Sequence, residues 1–250
     1  MSDSNERSSI ESSMTGAAPA LPVSKPRLKT ISMDLRIHSP GSLGYLALEG
    51  IDTAPALARL AKVKGLDVIA ITDYYSADFV ERVRPAAAES GITVIPGFVV
   101  RCHVGACDDV VLSCLFPEVT PLARLNECLH ELAVPAAGRG SETYTLPQPL
   151  NEIIETVERY EGRVLPTRMD KTPHRMAAIP LLVENYGFRA FDLAYADSGR
   201  FFKLRWPKTK FHLFSFSNAH ALAQVGSRYA KVKLQDASFA GIAELISRER

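Results

Sequence analysis

Short apolar segments alternate with helix-forming segments along most of this chain, and this alternation limits the possible fold more than any other feature. Residues 66–73 are a mostly apolar run, which is typical of a parallel strand that is covered on both faces. They directly follow residues 53–62, whose apolar positions have helical spacing. The same pair of patterns recurs further along the chain. The alternation therefore predicts an α/β fold with a mostly parallel sheet, either open or closed into a barrel.

The remaining elements are predicted from the same two periodicities and from the Gly and Pro residues that interrupt them. Strands are predicted over residues 30–38, 66–73, 92–95, 110–116, 163–166, 191–194, 211–216 and 230–234. Helices are predicted over residues 53–62, 77–89, 121–132, 151–160, 177–186 and 238–248. Thr53 is the predicted N-cap of the first helix. Residues 135–149 are rich in Gly, Ser and Pro and are predicted to form a surface loop.

The composition of the two ends of the chain predicts a tail and one folded domain. Residues 1–28 are rich in Ser, Ala and Pro, so we expect a flexible N-terminal tail followed by a single domain over residues 29–250. Lys plus Arg number 29 and Asp plus Glu number 28, and this balance argues against nucleic acid as a partner. The sequence contains no apolar run long enough to cross a membrane and no signal-peptide core, so we expect a cytoplasmic protein.

Four cysteines lie close together in the sequence, between residues 102 and 128. A framework of disulfides would be spread more widely. Cys102, His103 and Cys107 offer three possible zinc ligands, but a zinc site needs four, and no second pair has the required spacing. We therefore interpret the cysteines as small buried apolar residues.

Polar residues follow several of the predicted strands, and this is where a parallel α/β fold binds its ligands. Because the carboxyl ends of such strands meet at one edge of the sheet, we expect these side chains to lie around one mouth. They are Arg36, His38, Asp73, Tyr74, Arg101, Thr167, Arg168, Asp170, Lys171, Ser217, Asn218 and His220.

The motifs at these strand ends resemble those of the PHP (polymerase and histidinol phosphatase) family. Residues 34–39, Asp-Leu-Arg-Ile-His-Ser, resemble the opening D-L-H-x-H-T/S of that family. Residues 66–74 resemble G-L-D-x-I-A-I-T-D-H, and residues 92–99 resemble I-x-V-I-P-G-x-E. Residues 163–171 are similar to the strand that carries A-H-x-D-R, and residues 217–220 to S-D-A-H. The resemblance implies a distorted (β/α)7 barrel whose strand ends hold up to three divalent metals that hydrolyse phosphate esters.

Most of the positions that bind metal in the family carry other residues here. A guanidinium has no lone pair to offer a metal, and valine has no donor at all. The resemblance therefore implies that metal-dependent catalysis is lost, with no catalytic residue and no cofactor retained. The substituted positions are Arg36, Leu43, Tyr74, Val99, Val111, Arg168 and Asn218. The positions that match the motifs are His38, Asp73, Asp170 and His220.

Two interpretations of the arginines remain open at this stage. Arg36 and Arg168, with Lys171, His38 and His220 beside them, are candidates for binding a phosphate-type anion without metal. Alternatively, the two arginines pair with carboxylates left over from the lost metal site, among them Asp73 and Asp170. A phosphate-containing small molecule and a protein are the partners that these interpretations favour. Tyr74 and Tyr75 either stack on a ligand or fill the emptied cavity.

Three functions are therefore considered. The first is a binding or regulatory module that has lost phosphoesterase activity. The second is a divergent phosphoesterase that uses His38, Asp73 and His220, with Asp170, around one Mn, Fe or Zn ion. The third is a structural subunit of a larger complex, which contacts its partner through the tail or through residues 135–149.

Overall fold

The computed structural model describes residues 27–249, so almost all of the predicted N-terminal tail lies outside the described residues. The strands are β1 (Lys29–Ile37), β2 (Val68–Tyr74), β3 (Thr93–Val104), β4 (Cys107–Leu115), β5 (Arg163–Pro166), β6 (Ala190–Asp192), β7 (His212–Phe214) and β8 (Ala230–Leu234). The helices are α1 (Thr53–Val63), α2 (Val80–Glu89), α3 (Leu122–Glu131), α4 (Leu150–Arg159), α5 (Pro173–Glu184), α6 (Gly199–Arg205) and α7 (Phe239–Leu245). None of these helices is long and apolar enough to span a membrane.

Six of the strands form one curled sheet in the order β5-β4-β3-β2-β1-β8, and β6 pairs with β7 in a second, small sheet. A single bridge from Thr167, just after β5, to Asp192 joins the large sheet to β6, and another runs from Ile37 in β1 to Ala219, five residues after β7. Within the described residues the hydrogen-bonded ladder therefore forms a half-barrel. The distorted (β/α)7 barrel that the resemblance implies is therefore found only in part, because the barrel is not closed.

The sheet is mixed, so the prediction of a mostly parallel sheet is wrong. The β1-β2, β2-β3 and β6-β7 pairs are parallel, whereas β3-β4, β4-β5 and β1-β8 are antiparallel. Strands β3 and β4 are antiparallel because their connection is very short. Only Gly105 and Ala106 separate the two strands, and Gly105 has a φ of 58°. A two-residue turn of this kind reverses the chain and forces antiparallel pairing.

Strand β3 also continues beyond Pro96 and Gly97, where the sequence predicted its end. Pro96 lacks an N–H, but its carbonyl accepts a hydrogen bond from the Phe116 N–H at 3.0 Å. A Cβ atom at Gly97 would lie 2.5 Å from the Cys114 carbonyl oxygen. The glycine therefore permits close packing of β3 against β4 and does not end the strand.

The N-cap of α1 is Asp52, not the predicted Thr53. The Asp52 carboxylate accepts a hydrogen bond from the Ala54 N–H at 3.2 Å. Thr53 is the first helical residue, and its side chain is buried.

The core lies on both faces of the large sheet. All seven residues of β2 are buried, as expected for a strand that is covered on both sides. The β3-β4 hairpin packs against α3, α4 and α5, whereas the β1-β2 pair packs against α1 and α2. All four cysteines are buried and free, and burial raises the pKa of Cys102 and of Cys128 to about 12.

Candidate functional site

The ends of β1, β2, β5 and β7 meet at one edge of the curled sheet, and we call the residues there the rim. Arg36 at the end of β1 contacts Tyr74, Thr167 and Asn218, each of which comes from a different strand end. His38 stacks on Tyr74 and on His220. The structure thus brings together most of the polar residues that the sequence placed at strand ends.

Arg36 occupies the centre of the rim and is 1% exposed. Its Nε donates to Asn218 Oδ1 at 2.5 Å, and Nη1 donates to Thr167 Oγ1 at 2.9 Å and more weakly to Ser113 Oγ at 3.5 Å. Nη2 donates to the Tyr74 hydroxyl at 3.4 Å. All four acceptors are neutral oxygens. The guanidinium is therefore satisfied in its hydrogen bonds while its charge is not directly neutralised.

The carboxylates expected to pair with the arginines form other hydrogen bonds. Asp73 accepts from the Ser39 N–H at 2.7 Å, from the Ser42 hydroxyl at 2.7 Å and from the Ser39 hydroxyl. Asp170 accepts from the N–H groups of Ala194 at 2.6 Å and Tyr195 at 2.8 Å. Each carboxylate fixes the loop that follows a strand, so the predicted ion pairs with Arg36 are not formed.

Two further aspartates, which the sequence analysis did not select, support the rim from below. Asp34 accepts from the N–H groups of Ser217 at 3.2 Å and Gly226 at 3.1 Å, and its burial raises its pKa to about 6. Asp192 accepts from the Phe216 N–H at 2.9 Å and from the Thr167 hydroxyl. The sequence did contain a signal for Asp192, because this residue interrupts an apolar run in a predicted strand. A carboxylate that is buried in a strand must accept hydrogen bonds from other groups.

Asp192 is electrostatically coupled to Arg36 through Thr167. Burial raises the pKa of Asp192, whereas the charge of Arg36 and the hydrogen bond from Thr167 lower it. Thr167 accepts from Arg36 and donates to Asp192. The hydroxyl therefore links the buried cation to a buried carboxylate.

His38 is fully buried, and its Nδ1 faces the Ser42 hydroxyl. The Ser42 hydroxyl donates to Asp73, so its oxygen accepts the proton of His38 Nδ1 across 3.1 Å. Burial and the charge of Arg36 hold the pKa of His38 well below its usual range, while Asn218 acts in the opposite direction. Nε2 has no partner that meets hydrogen-bond geometry among the described residues, but the Asn218 side chain lies close enough to the ring to favour its protonated form.

His220 lies over His38 at the outer side of the rim. The two ring centroids are 4.0 Å apart with an interplanar angle of 21°. His220 Nδ1 lies 3.5 Å from Glu142 Oε1, and its side chain is 20% exposed. Burial lowers the pKa of His220, and Glu142 opposes this shift. Sequence reasoning missed Glu142 because it belongs to the predicted surface loop.

The loop that carries Glu142 is held against the rim by main-chain hydrogen bonds. Gly140 N–H donates to the Tyr74 carbonyl at 2.7 Å, and Leu43 N–H donates to the Gly140 carbonyl at 3.0 Å. Tyr74 itself is 4% exposed and its ring is stacked 5.1 Å from that of His38. Tyr74 therefore fills space that would be open with a smaller side chain. Tyr75 is turned away from the rim, and its hydroxyl donates to the Tyr144 carbonyl at 2.5 Å.

Arg168 lies at the open side of the rim in an unusual backbone conformation. Its φ is 54°, and its N–H donates to the Asp192 carbonyl at 2.6 Å. The side chain is partly buried, and burial together with the nearby charge of Arg36 lowers the pKa of Arg168. Within the part of the chain that the structure describes, its guanidinium forms neither a hydrogen bond nor an ion pair. Arg168 is thus a cation without a direct hydrogen bond or ion pair to the described side chains. The carboxylates of Asp192 and Asp170 attract it through space, while Arg36 and Arg228 repel it.

The other candidate residues are distributed more widely. Lys171 is exposed, with its Nζ 3.3 Å from the Tyr195 hydroxyl. Leu43 is 79% exposed, whereas Val99 and Val111 are buried in the sheet. Arg101 is not at the rim, because it pairs with Asp109 on the β3-β4 hairpin at 3.0 Å.

The rim residues do not fit the metal cluster that the motifs imply. The oxygens of Asp73 accept hydrogen bonds from two serines and those of Asp170 from two main-chain N–H groups, so His38 and His220 are the remaining donors of the four proposed ligands. Arg36 places a fixed positive charge among them, which opposes the entry of a cation. The described residues contain no group of three or more His, Cys, Asp or Glu side chains that could bind a metal.

Comparison with known proteins supports the fold. No protein-family model and no curated protein matches this sequence. The lesion-specific endonuclease Q of Pyrococcus furiosus is 18% identical, with a TM-score of 0.64 over 87% of this chain. An amidohydrolase from Chromobacterium violaceum, whose structure holds sulfate and no metal, is 15% identical, with a TM-score of 0.58 over 86% of this chain and 97% of its own. Together with the five motifs, these likenesses indicate a divergent PHP-type fold.

A second structure of endonuclease Q corrects one expectation from the sequence. That structure contains a 27-mer duplex with an abasic lesion at the active site, and it matches with 18% identity and a TM-score of 0.62 over 86% of this chain. The inference that a net charge near zero argues against nucleic acid is therefore wrong, since net charge does not describe the local charge at a rim. This chain spans 56% of the length of each endonuclease Q chain that it matches.

Proposed function

We propose that this protein is a PHP-type binding module that holds a phosphate-type anion at Arg168 without a metal and has no metal-dependent phosphoesterase activity. The observation that carries the proposal is the partly buried, unpaired guanidinium of Arg168 next to the buried Arg36. Arg36 contributes charge from below, and Arg168 contributes the free hydrogen-bond donors.

The energetics of the two arginines support an anion at this position. Two like charges in a partly buried site repel each other more strongly than in water. Burial also removes part of the hydration of Arg168, and no hydrogen bond from the described residues replaces it. Asp192 and Asp170 attract the guanidinium only through space. An oxyanion at the rim would restore both the missing hydrogen bonds and the charge balance. A guanidinium suits this task because its planar fork binds phosphate or carboxylate oxygens in pairs.

The backbone of the rim is consistent with a binding site. Tyr75, Arg168 and Asn218 follow three different strands, and each has a positive φ, of 51°, 54° and 51°. Residues other than glycine reach this region at a cost, and such residues concentrate at binding and catalytic sites. The metal-free structure of the Chromobacterium violaceum amidohydrolase holds sulfate, which shows that a related fold accommodates a tetrahedral oxyanion without metal.

Calorimetric titration with inorganic phosphate tests the proposal. The protein is treated with a chelator first, so that any binding is independent of metal. We expect the wild type to bind phosphate and Arg168→Asn to lose binding, because asparagine tolerates a positive φ but carries no charge. Arg205→Ala is the control, since it removes one positive charge from α6, where Arg205 faces Glu184 at 3.6 Å. Binding that is equal in wild type and Arg168→Asn would refute the assignment.

A second candidate function is a phosphoesterase with a reduced metal site. The observation in its favour is His38 Nε2, a buried ring nitrogen beside the His220 ring that has no partner in hydrogen-bond geometry among the described residues. Elemental analysis after a chelator-free preparation separates the two candidates. One equivalent of Mn, Fe or Zn, with phosphodiester hydrolysis that His220→Ala abolishes, would establish the enzyme. A content well below one equivalent, without hydrolysis, would favour the binding module.

A further inference from the structure

The loops that follow β5 and β6 are hydrogen-bonded to each other beside Arg168, and we call Arg168, Lys171, Tyr195 and Arg228 the ledge. The Asp170 carboxylate accepts hydrogen bonds from both Ala194 and Tyr195, so it clamps the loop after β5 to the loop after β6. Arg228 Nη1 donates to the Ala194 carbonyl at 2.6 Å from the opposite side. The clamp holds three cationic side chains and one aromatic ring on the same part of the rim.

The Tyr195 ring is the exposed aromatic surface of the ledge. The residue is 51% exposed. The Lys171 ammonium is 3.3 Å from the hydroxyl oxygen but 5.6 Å from the ring centroid, so it lies towards the hydroxyl end of the ring. No other aromatic ring packs on Tyr195 among the described residues. A planar ligand can therefore stack on this ring without displacing a protein group.

The charges around the ring favour a ligand that is both anionic and aromatic. Arg168 has free donors, Lys171 is exposed, and Arg228 adds positive charge that lowers the pKa of Arg168. The two carboxylates that attract Arg168, Asp192 and Asp170, each already accept two hydrogen bonds from other protein groups. Cationic side chains beside an exposed aromatic ring are the combination that binds a phosphate and an adjacent base in single-stranded nucleic acids.

We propose that the anion bound at Arg168 is the phosphate of a nucleotide unit, whose base stacks on Tyr195 with Lys171 beside the phosphate. The inference rests on the proposed function, because it identifies the ligand of the same rim. The nucleotide unit has two possible sources, a free nucleoside monophosphate and one unit of a single strand. Both present the same phosphate and the same stacking ring.

Titrations with four probes test this assignment. The probes are inorganic phosphate, ribose 5-phosphate, adenosine 5′-monophosphate and a single DNA strand of about ten nucleotides. The difference in affinity between ribose 5-phosphate and adenosine 5′-monophosphate measures the contribution of the base. We expect the wild type to bind adenosine 5′-monophosphate more tightly than ribose 5-phosphate. Tighter binding of the strand, with a steep salt dependence, would identify a polymer as the source, whereas equal affinities would identify the free nucleotide.

Three variants at tyrosines make the test specific. Tyr195→Ala should weaken binding of the nucleotide by about 5- to 150-fold, which is the range for loss of one stacked base, and should leave binding of ribose 5-phosphate unchanged. Tyr195→Phe keeps the ring and should bind the nucleotide as the wild type does. Tyr229→Ala is the matched control, because Tyr229 is also exposed and has a lysine ammonium, that of Lys231, 5.8 Å from its ring centroid.

The failure of this inference is distinguishable from the failure of the proposed function. If the nucleotide binds no more tightly than ribose 5-phosphate, or if Tyr195→Ala weakens both ligands equally, the stacking assignment is refuted while phosphate binding at Arg168 stands. If none of the four probes binds, the proposed function is refuted as well.

Discussion

Arg36 Nη1 donates a hydrogen bond of 2.9 Å to Thr167 Oγ1, and this contact joins the end of β1 to the end of β5 across the centre of the rim. The same hydroxyl donates to the buried Asp192 carboxylate. The guanidinium thus connects strand ends that share no ladder, since β1 and β5 are separated by three strands in the large sheet. Arg36 consequently has a structural role of its own, in addition to its charge.

Removal of the Arg36 guanidinium should destabilise the protein strongly. Arg36→Met keeps much of the side-chain volume but leaves the buried Thr167 and Asp192 and the partly buried Asn218 without their cation. Breaking a buried charged network of this kind costs about 3–5 kcal/mol in the free energy of unfolding. Urea denaturation measures the change. Arg205→Ala, at the protein surface, should change it by less than about 0.5 kcal/mol, and an equally small effect of Arg36→Met would contradict the role assigned to the network.

The substitution Arg168→Gly should have two effects: a higher free energy of unfolding and the loss of phosphate binding. Glycine removes the backbone strain at a φ of 54° and also the partly buried, unpaired charge, so we expect a gain of about 1 kcal/mol. Glu161→Gly is the matched control, because Glu161 is exposed and has a φ of 65°. That variant should gain stability from the backbone alone and bind phosphate as the wild type does. Thermal unfolding with and without phosphate measures both effects, and a loss of stability in Arg168→Gly would show that its side chain is needed for folding.

Ionisation of Asp73 should lower the free energy of unfolding as the pH rises from about 4 to 6. Burial raises its pKa from 3.8 to about 6, so the folded state binds more protons than the unfolded state in this window. Its contribution is fully present below the unfolded pKa and is lost as the pH rises through the folded one. His38, whose pKa is lowered, acts in the opposite direction, so a difference measurement is required.

The difference between wild type and Asp73→Asn isolates this contribution. The free energy of unfolding of the variant, minus that of the wild type, should increase by on the order of 3 kcal/mol from pH 4 to pH 7, because only the wild type loses stability as Asp73 ionises. Asp236→Asn, at an exposed site, should show no such trend. A parallel pH profile for wild type and Asp73→Asn would mean that Asp73 is already ionised at low pH in the folded protein.

The four cysteines should be unreactive in the folded protein. All are buried and free, and burial raises the pKa of each thiol. Because the thiolate is the reactive form, an aromatic disulfide reagent should label no cysteine in the native state and all four in denaturant. Addition of a zinc chelator should not change native labelling. Rapid labelling of Cys102 and Cys107 after chelation would instead reveal a metal bound to that pair.

The fold was predictable where local pattern decides it. Strands β5 and β8 have the predicted bounds, Arg163–Pro166 and Ala230–Leu234, because each is an isolated run of strand-forming residues between turn signals. The direction of β4 was not predictable in the same way. It depends on a two-residue turn at Gly105 and Ala106, inside a segment where the strand was predicted to have already ended.

The site was predictable to the extent that strand ends converge. Arg36, His38 and Asn218 lie together as expected, because β1 and the segment after β7 meet at one edge. Asp192 and Glu142 were missed for different reasons. The direction of the Asp192 side chain depends on the register between the two sheets, and Glu142 reaches His220 only because its loop is hydrogen-bonded to the rim.

The cation at the centre of the rim is covalently part of β1. A metal cluster exchanges with its surroundings, so its occupancy depends on the supply of the ion and on competition from other chelators. Arg36 does not dissociate, and it is present in every copy of the protein from the moment of synthesis. The positive centre of this domain is therefore independent of the metal status of its environment.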